Sequence, residues 1–291
     1  MKKFYLPILY AFYVVAAVIF FIYALFPEEA AKRMVSDRFE YAFPGYSVQI
    51  ERLAPSFPPG ITLKDVTVFQ PKKGGVEVPH VRICPSLSRL IRGRLFLHYQ
   101  GNIQNGAFSG DMEMDADQWH QPKKITLSLS QVHLQNAVLN AIESPPPELT
   151  AAVDGHMTFV PNLKTGLTIY AKLALTEVML TLPALSDVLE PFRFATIDLN
   201  CSMAHRILRI NNGVFSGPQL EGTMAGTLIF SDPLPKSRLN LRFVVSLRPE
   251  YHDKLAQALP VVLFQNKSGN PVGFEFELNG MLEKPSVSIS R

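Results

Sequence analysis

From Phe4 to Pro27 the chain carries no charged residue (FYLPILYAFYVVAAVIFFIYALFP). A helix rises about 1.5 Å per residue, so roughly 20 such residues cross a hydrocarbon core of about 30 Å. Pro7 falls near the start of the run, where a missing amide costs little. Tyr5, Tyr10, Tyr13 and Tyr23 lean towards its ends, where amphipathic rings favour the membrane interface. A cleaved signal peptide would need a core of only about 7–15 residues followed by small residues at A-x-A spacing. Here the core is longer, and Leu25, Phe26 and Pro27 occupy its exit, so an uncleaved anchor is expected. Lys2 and Lys3 precede the run and Glu28 and Glu29 follow it, which orients the N-terminus to the cytoplasm and residues 28–291 to the outside. No second apolar run of comparable length follows. The expected organisation is a tail and transmembrane anchor over 1–27, a linking helix over 28–44 and an extracytoplasmic β-rich repeat domain over 45–291.

Past the anchor the apolar period changes. Residues 28–43 carry a weak helical stripe through Met34, Val35 and Phe39, closed by Pro44-Gly45. After that, apolar and polar residues alternate, the signature of half-buried strands. Strands are expected over 47–53, 61–69, 76–83, 95–99, 125–134, 167–182, 206–210, 223–230, 239–247, 272–278 and 287–289, separated by Pro- and Gly-rich turns. Helical material is expected to be short, over 134–143, 182–189 and 251–263. The acidic alternation of Asp111, Glu113, Asp115 and Asp117 reads as one more half-solvated strand. A calcium loop would need Gly at its sixth position and Glu at its twelfth, where Ala116 and Pro122 stand.

Two internal repeats say more about the architecture. The segment Asn105-Gly106-Ala107-Phe108-Ser109-Gly110 returns as Asn212-Gly213-Val214-Phe215-Ser216-Gly217. Asn-Gly is the strongest short hairpin signal, so each copy is expected to turn the chain between strands. The second repeat, L-x-[DEQ]-V-x-[LV], occurs at Leu63–Val68, Leu129–Leu134 and Leu175–Leu180. In the second and third copies the apolar parity flips: Ile125, Leu127 and Leu129 are odd, Val132 and Leu134 even; Leu173 and Leu175 are odd, Val178 and Leu180 even. A continuous strand keeps one face buried across such a flip only by inserting a residue, as a β-bulge does. The alternative is two separate strands at each flip. The bulge reading predicts a long, curved antiparallel sheet whose apolar face the short helices cover only in part. What remains uncovered is closed by itself, paired with a partner, or open as an apolar groove lined by one parity of each strand, such as Leu167, Ile169, Leu173 and Leu175.

Sites of chemistry are not signposted. Only His80 has a His or Cys three or four residues on, namely Cys84, and that pair falls at the end of the strand-like run over 76–83 and not on a helix; there is no H-E-x-x-H, G-x-S-x-G or phosphate loop. His133 and His156 read as strand residues, and Arg89, Arg92 and Arg94 as a solvated turn or a contact for anionic groups. A net charge of +3 gives no concentrated basic face for nucleic acid. Two Cys, Cys84 and Cys201, cannot build a disulfide scaffold; they read as a bridge in an oxidising compartment or as two buried thiols. No catalytic, cofactor-binding or metal-ligating residue is assigned, and no enzyme is expected.

The order of features, namely a short tail, one anchor, a linking helix, FPGYSVQIERLAPSFPPGITLKDVTV, the Arg89–Tyr99 run and the NG-x-FSG segments, resembles protein N of bacterial type II secretion systems. It is also similar to the wider AsmA-like group of inner-membrane-anchored periplasmic proteins. The first resemblance implies a non-enzymatic accessory of the machinery that moves folded periplasmic proteins outward, with other secretion components as partners. The second implies a β-groove that shelters lipid acyl chains. Both imply a single-pass inner-membrane protein with its bulk in the periplasm.

Overall fold

A computed structural model describes residues 5–42, 45–56, 60–70, 73–90, 94–115, 122–134, 148–162, 166–181, 190–248 and 273–289. The protein is mainly β. Helices α1 (Tyr5–Ala24) and α2 (Glu28–Ala42) open the chain, and among the described residues α3 (Leu87–Leu90) and a 3₁₀ turn, Leu234–Lys236, interrupt the strands. The strands are β1 (Ser47–Ser56), β2 (Gly60–Gln70), β3 (Lys73–Pro85), β4 (Arg94–Ile103), β5 (Gly106–Asp115), β6 (Pro122–Leu134) and β7 (Glu148–Asn162). They continue as β8 (Gly166–Thr181), β9 (Phe192–Ala204), β10 (Ile207–Ser216), β11 (Leu220–Ile229), β12 (Arg238–Leu247), β13 (Gly273–Met281) and β14 (Lys284–Ile289). All 14 belong to one antiparallel sheet in which spatial order equals chain order. Of the helix expected over 134–143, Leu134 belongs to β6 and the rest lies outside the described residues, as do the helices expected over 182–189 and 251–263, Asp117 and Arg92.

The chain forms two compact units: Met1–Arg92 with Phe96–Ile103, and Gly93–Leu95 with Gln104–Arg291. In the first, α2 lies against β1. Glu28 accepts a hydrogen bond from the Leu53 amide at 3.1 Å, and Ser36 Oγ donates to the Val48 carbonyl at 3.3 Å. Lys32 bridges Glu28 at 2.9 Å and Glu29 at 3.1 Å, one helical turn away. The core of this unit is built from facing pairs, Ile50 with Val66 and Leu53 with Leu63; Leu53 is only 1% exposed.

The parity flips are bulges. β6 and β8 each run unbroken through the flip. Between the pairs Leu129–Gly155 and Val132–Val153, two residues of β6, Ser130 and Gln131, face Asp154 alone. Between Thr150–Met179 and Ala152–Thr176, Glu177 and Val178 of β8 face Ala151 alone. The inserted residues Gln131 and Glu177 have φ of 51° and 52°, in the left-handed region that turns the following side chain back to the original face. Val132 and Val178 are thereby buried, Val178 to 2% exposure. Asp154 completes the β6 bulge: its carboxylate accepts the freed Gln131 amide at 3.0 Å and the Gln131 side-chain amide at 2.6 Å.

The first copy of the repeat has the same backbone. Asp65 has φ of 52°, and Leu63 and Val66, three residues apart, are both buried. Here β1 follows the distortion, with Ile50 and Leu53 also three apart and buried, so the β1–β2 register does not slip.

The Asn-Gly expectation needs correction. The residues at positive φ before β5 are Gln104 and Asn105 (46° and 62°), and Gly106 already belongs to β5. Asn212-Gly213 is no turn at all: it lies inside β10, where pairing with β11 skips between Ile210 and Gly213. The β9–β10 turn is His205-Arg206, with φ of 50° and 64°. What the two glycines share is close approach. A Cβ on Gly106 would meet the Gln131 backbone at 2.5 Å, and one on Gly213 would meet Met224 Cγ at 2.5 Å.

Candidate apolar face of the second unit

Register and alternation sort the side chains of β5–β14 onto two chemically opposite faces. On one face, apolar residues line up strand after strand. A first row runs Met112, Ile125, Phe159 and Ile169, then Met203, Leu208, Leu228 and Leu239. A second runs Leu127, Met157, Ala171, Cys201 and Ile210, and after Gly226 resumes with Leu241, Leu278 and Val287. A third joins Phe108, Leu129, Leu173 and Leu199 to Met224, Phe243 and Phe276, with Gly155 and Gly213 at the tight crossings. A fourth, beyond the bulge, runs Val132, Val153, Leu175, Ile197 and Phe215. Phe243 and Phe276 stack at 4.9 Å, and Phe194 meets Phe215 edge-on at 5.8 Å.

The opposite face is polar across the same strands. Thr126, Thr158, Tyr170, Ser202, Arg209, Thr227, Asn240, Asn279 and Ser286 form one continuous row. Ser128 and His156 Nδ1 hydrogen-bond at 3.0 Å, and Arg242 pairs with Glu275 across β12 and β13. A shallow concavity of about 480 Å³ is bordered by the polar Asp154, His156, Lys172, Asp198, Asn200 and Asn212 together with the apolar Leu173, Ala174 and Leu199.

The bulges make the apolar face possible. Without the inserted residue at Gln131 and Glu177, Val132 and Val178 would join the polar side and the fourth row would end. The four residues expected to line a groove, Leu167, Ile169, Leu173 and Leu175, all lie on β8 and on this face, in register with Pro161, Phe159, Gly155 and Val153 of β7. Leu167 is 48% exposed, and Ile169, Leu173 and Leu175 are half-buried. Most side chains of the first three rows are likewise half-buried. Fully burying a Leu, Phe or Met side chain is worth about 1.5–3 kcal/mol, so a face of half-buried ones retains a driving force for further contact.

Among the described residues no three His, Cys, Asp or Glu come together as metal ligands. The acidic alternation is carried by β5, as expected, through Asp111 and Glu113. Cys84 in β3 and Cys201 in β9 are free thiols; Cys201 is buried, and burial raises its thiol pKa. Arg89 lies 3.8 Å over the Phe96 ring, which gives that cation a local role. Two strands, β7 and β9, have no counterpart among the runs expected from periodicity. Asp154-Gly155 and the mixed FRFATIDLN pattern hide them, and only register against β8 brings them out.

At the N-terminus, α1 covers 20 residues without a charge, and its described side chains Leu9, Tyr10, Tyr13, Phe20 and Phe21 are exposed. Several of its other side chains lie outside the described set, and among the described residues no helix is long and apolar enough to cross a membrane. No known protein family, no curated protein and no solved structure matches this chain.

Proposed function

We propose that the chain is a non-enzymatic, inner-membrane-anchored periplasmic component of a type II protein secretion machinery, working by contact and not by reaction. The observation that carries the reading is the two-faced sheet of the second unit: four apolar rows on one side and a polar surface on the other. Such a body is suited to holding partners. The charge-free stretch through α1 supports an anchor, and α2, docked on β1 through Glu28 and Ser36, supports a stiff exit from it. The resemblance to protein N adds the cellular setting. Deleting the gene in its host and measuring secreted enzymes in the medium tests the proposal. Loss of secretion with export across the inner membrane intact is expected; normal secretion overturns it.

A second reading is favoured by the apolar rows themselves. Half-buried Leu, Met and Phe side chains in register across β5–β12 suit acyl chains, so the same face serves as a lipid-binding or lipid-transfer groove of the AsmA-like kind. Native mass spectrometry of the purified full chain, compared with a Leu173→Glu variant, separates the two. Lipid that co-purifies with the parent and is lost in the variant favours the groove, and absence of lipid from both favours protein contact.

A further inference from the structure

A sheet whose strands follow chain order has two outer strands, here β1 and β14, and each such strand offers a row of unpaired amides and carbonyls. β1 is guarded. The Glu28 carboxylate of α2 takes the Leu53 amide, and Ser36 Oγ donates to the Val48 carbonyl. β14 has no equivalent guard among the described residues. Pro285 has no N–H to give β13, so its position in the ladder faces outward. Ser286 faces the other way: it pairs with Asn279, and its Oγ donates to the Asn279 carbonyl at 2.9 Å. By alternation, Val287 and Ile289 share the outward orientation of Pro285. The edge therefore presents the carbonyls of residues 285, 287 and 289 and the amides of 287 and 289. Val287, 60% exposed, ends the apolar row of Leu241 and Leu278.

We propose that this edge docks a second copy of the same chain, with the two β14 strands pairing antiparallel about a two-fold axis at Val287. The segment is self-complementary. Val287 exchanges both hydrogen bonds with its counterpart, and the Ile289 amide meets the second copy's Pro285 carbonyl. The absent proline amides fall at the two ends of the ladder, where each costs one bond. Ser286 faces the second copy's Ser288 on the polar side, and the Val287 side chains meet on the apolar side. The two Lys284 side chains sit at opposite ends, about 20 Å apart at the strand rise of about 3.3 Å per residue, so no like charges oppose. Because α2 guards the other edge, pairing through β14 closes at two copies instead of continuing into a fibre. This inference does not rest on what the apolar face binds.

Sedimentation equilibrium of the full chain in detergent micelles tests it, with far-UV circular dichroism to verify folding. A concentration-dependent dimer is expected. Val287→Pro, which removes the outward amide at the axis, and Val287→Lys, which places like charges there, should each weaken it at least tenfold (about 1.4 kcal/mol). In a Cys84→Ser background, a short bis-maleimide should join two Val287→Cys chains. A monomer at every concentration overturns the proposal. So does a dimer indifferent to both substitutions, which would place association elsewhere, for instance on α1. A Val287→Cys chain that cross-links in membranes to a different protein and not to itself also overturns it, by assigning the edge to a hetero-partner.

Discussion

Glu177 offers the sharpest test of the bulge argument, because its backbone reverses the usual rule for strands. In an ordinary strand, replacing Gly with Val gains up to about 1 kcal/mol, through lower backbone entropy cost and better packing. At Glu177, φ is 52° and the side chain is exposed. A non-glycine residue in that region costs about 1–2 kcal/mol, and a β-branched one more. Glu177→Gly removes this cost and adds about 0.5–1 kcal/mol of glycine entropy, for a net change near zero or slightly stabilising. Glu177→Val keeps the cost and adds crowding at Cβ, destabilising by at least about 1 kcal/mol. The glycine variant should therefore be the more stable by about 2 kcal/mol. Thermal unfolding of the full chain, followed by far-UV circular dichroism, should separate the two midpoints by about 4–8 °C at 2–4 °C per kcal/mol. A valine variant melting with or above the glycine variant would refute the bulge as the reason for the parity flip.

Two further outcomes follow from the electrostatics. The Lys32 ammonium, with help from the Leu53 amide, holds the Glu28 carboxyl below its usual range, while Glu28 raises Lys32. A depressed carboxylate contributes stability that is present above its unfolded value and lost as pH falls through the folded one. Amide exchange at Leu53 should accordingly accelerate below the ordinary carboxylate range, and Glu28→Gln should flatten that acid limb; an unchanged acid limb in the variant would count against the contact. Lys32 acts at the other end, its contribution fading as pH rises through its elevated folded value. Burial raises the Cys201 thiol, so iodoacetamide should modify the half-buried Cys84 at least tenfold faster than Cys201 in the folded chain, the two converging in urea. Equal rates without denaturant would contradict the burial of β9.

Much of this architecture could be read from residue order because period-two alternation maps directly onto a sheet. Helix α2, most strands and the flips at Gln131 and Glu177 were legible because the apolar period changes at each of them. Asp65 escaped notice for a physical reason. When β1 and β2 distort together, register is kept, and only the burial of Leu63 and Val66 three residues apart betrays the left-handed residue. The Asn-Gly pairs misled because glycine answers to two demands, positive φ and close approach. At Gly213 the second prevails, with Met224 and Leu199 against it. The expected groove residues share the apolar face, but its full extent came from the pairing of β7 and β9 with β8, which no local pattern encodes.

Strand order that copies chain order has a kinetic corollary. Every ladder joins strands adjacent along the polypeptide, so no strand waits for a remote one, and loop closure is short at most steps, the 25 residues between β12 and β13 being the longest. The sheet can zip up progressively along the polypeptide, each new hairpin templated by the last. By the same logic, hairpins can be gained or lost within such a meander without rewiring the rest, so its breadth is free to vary over evolution.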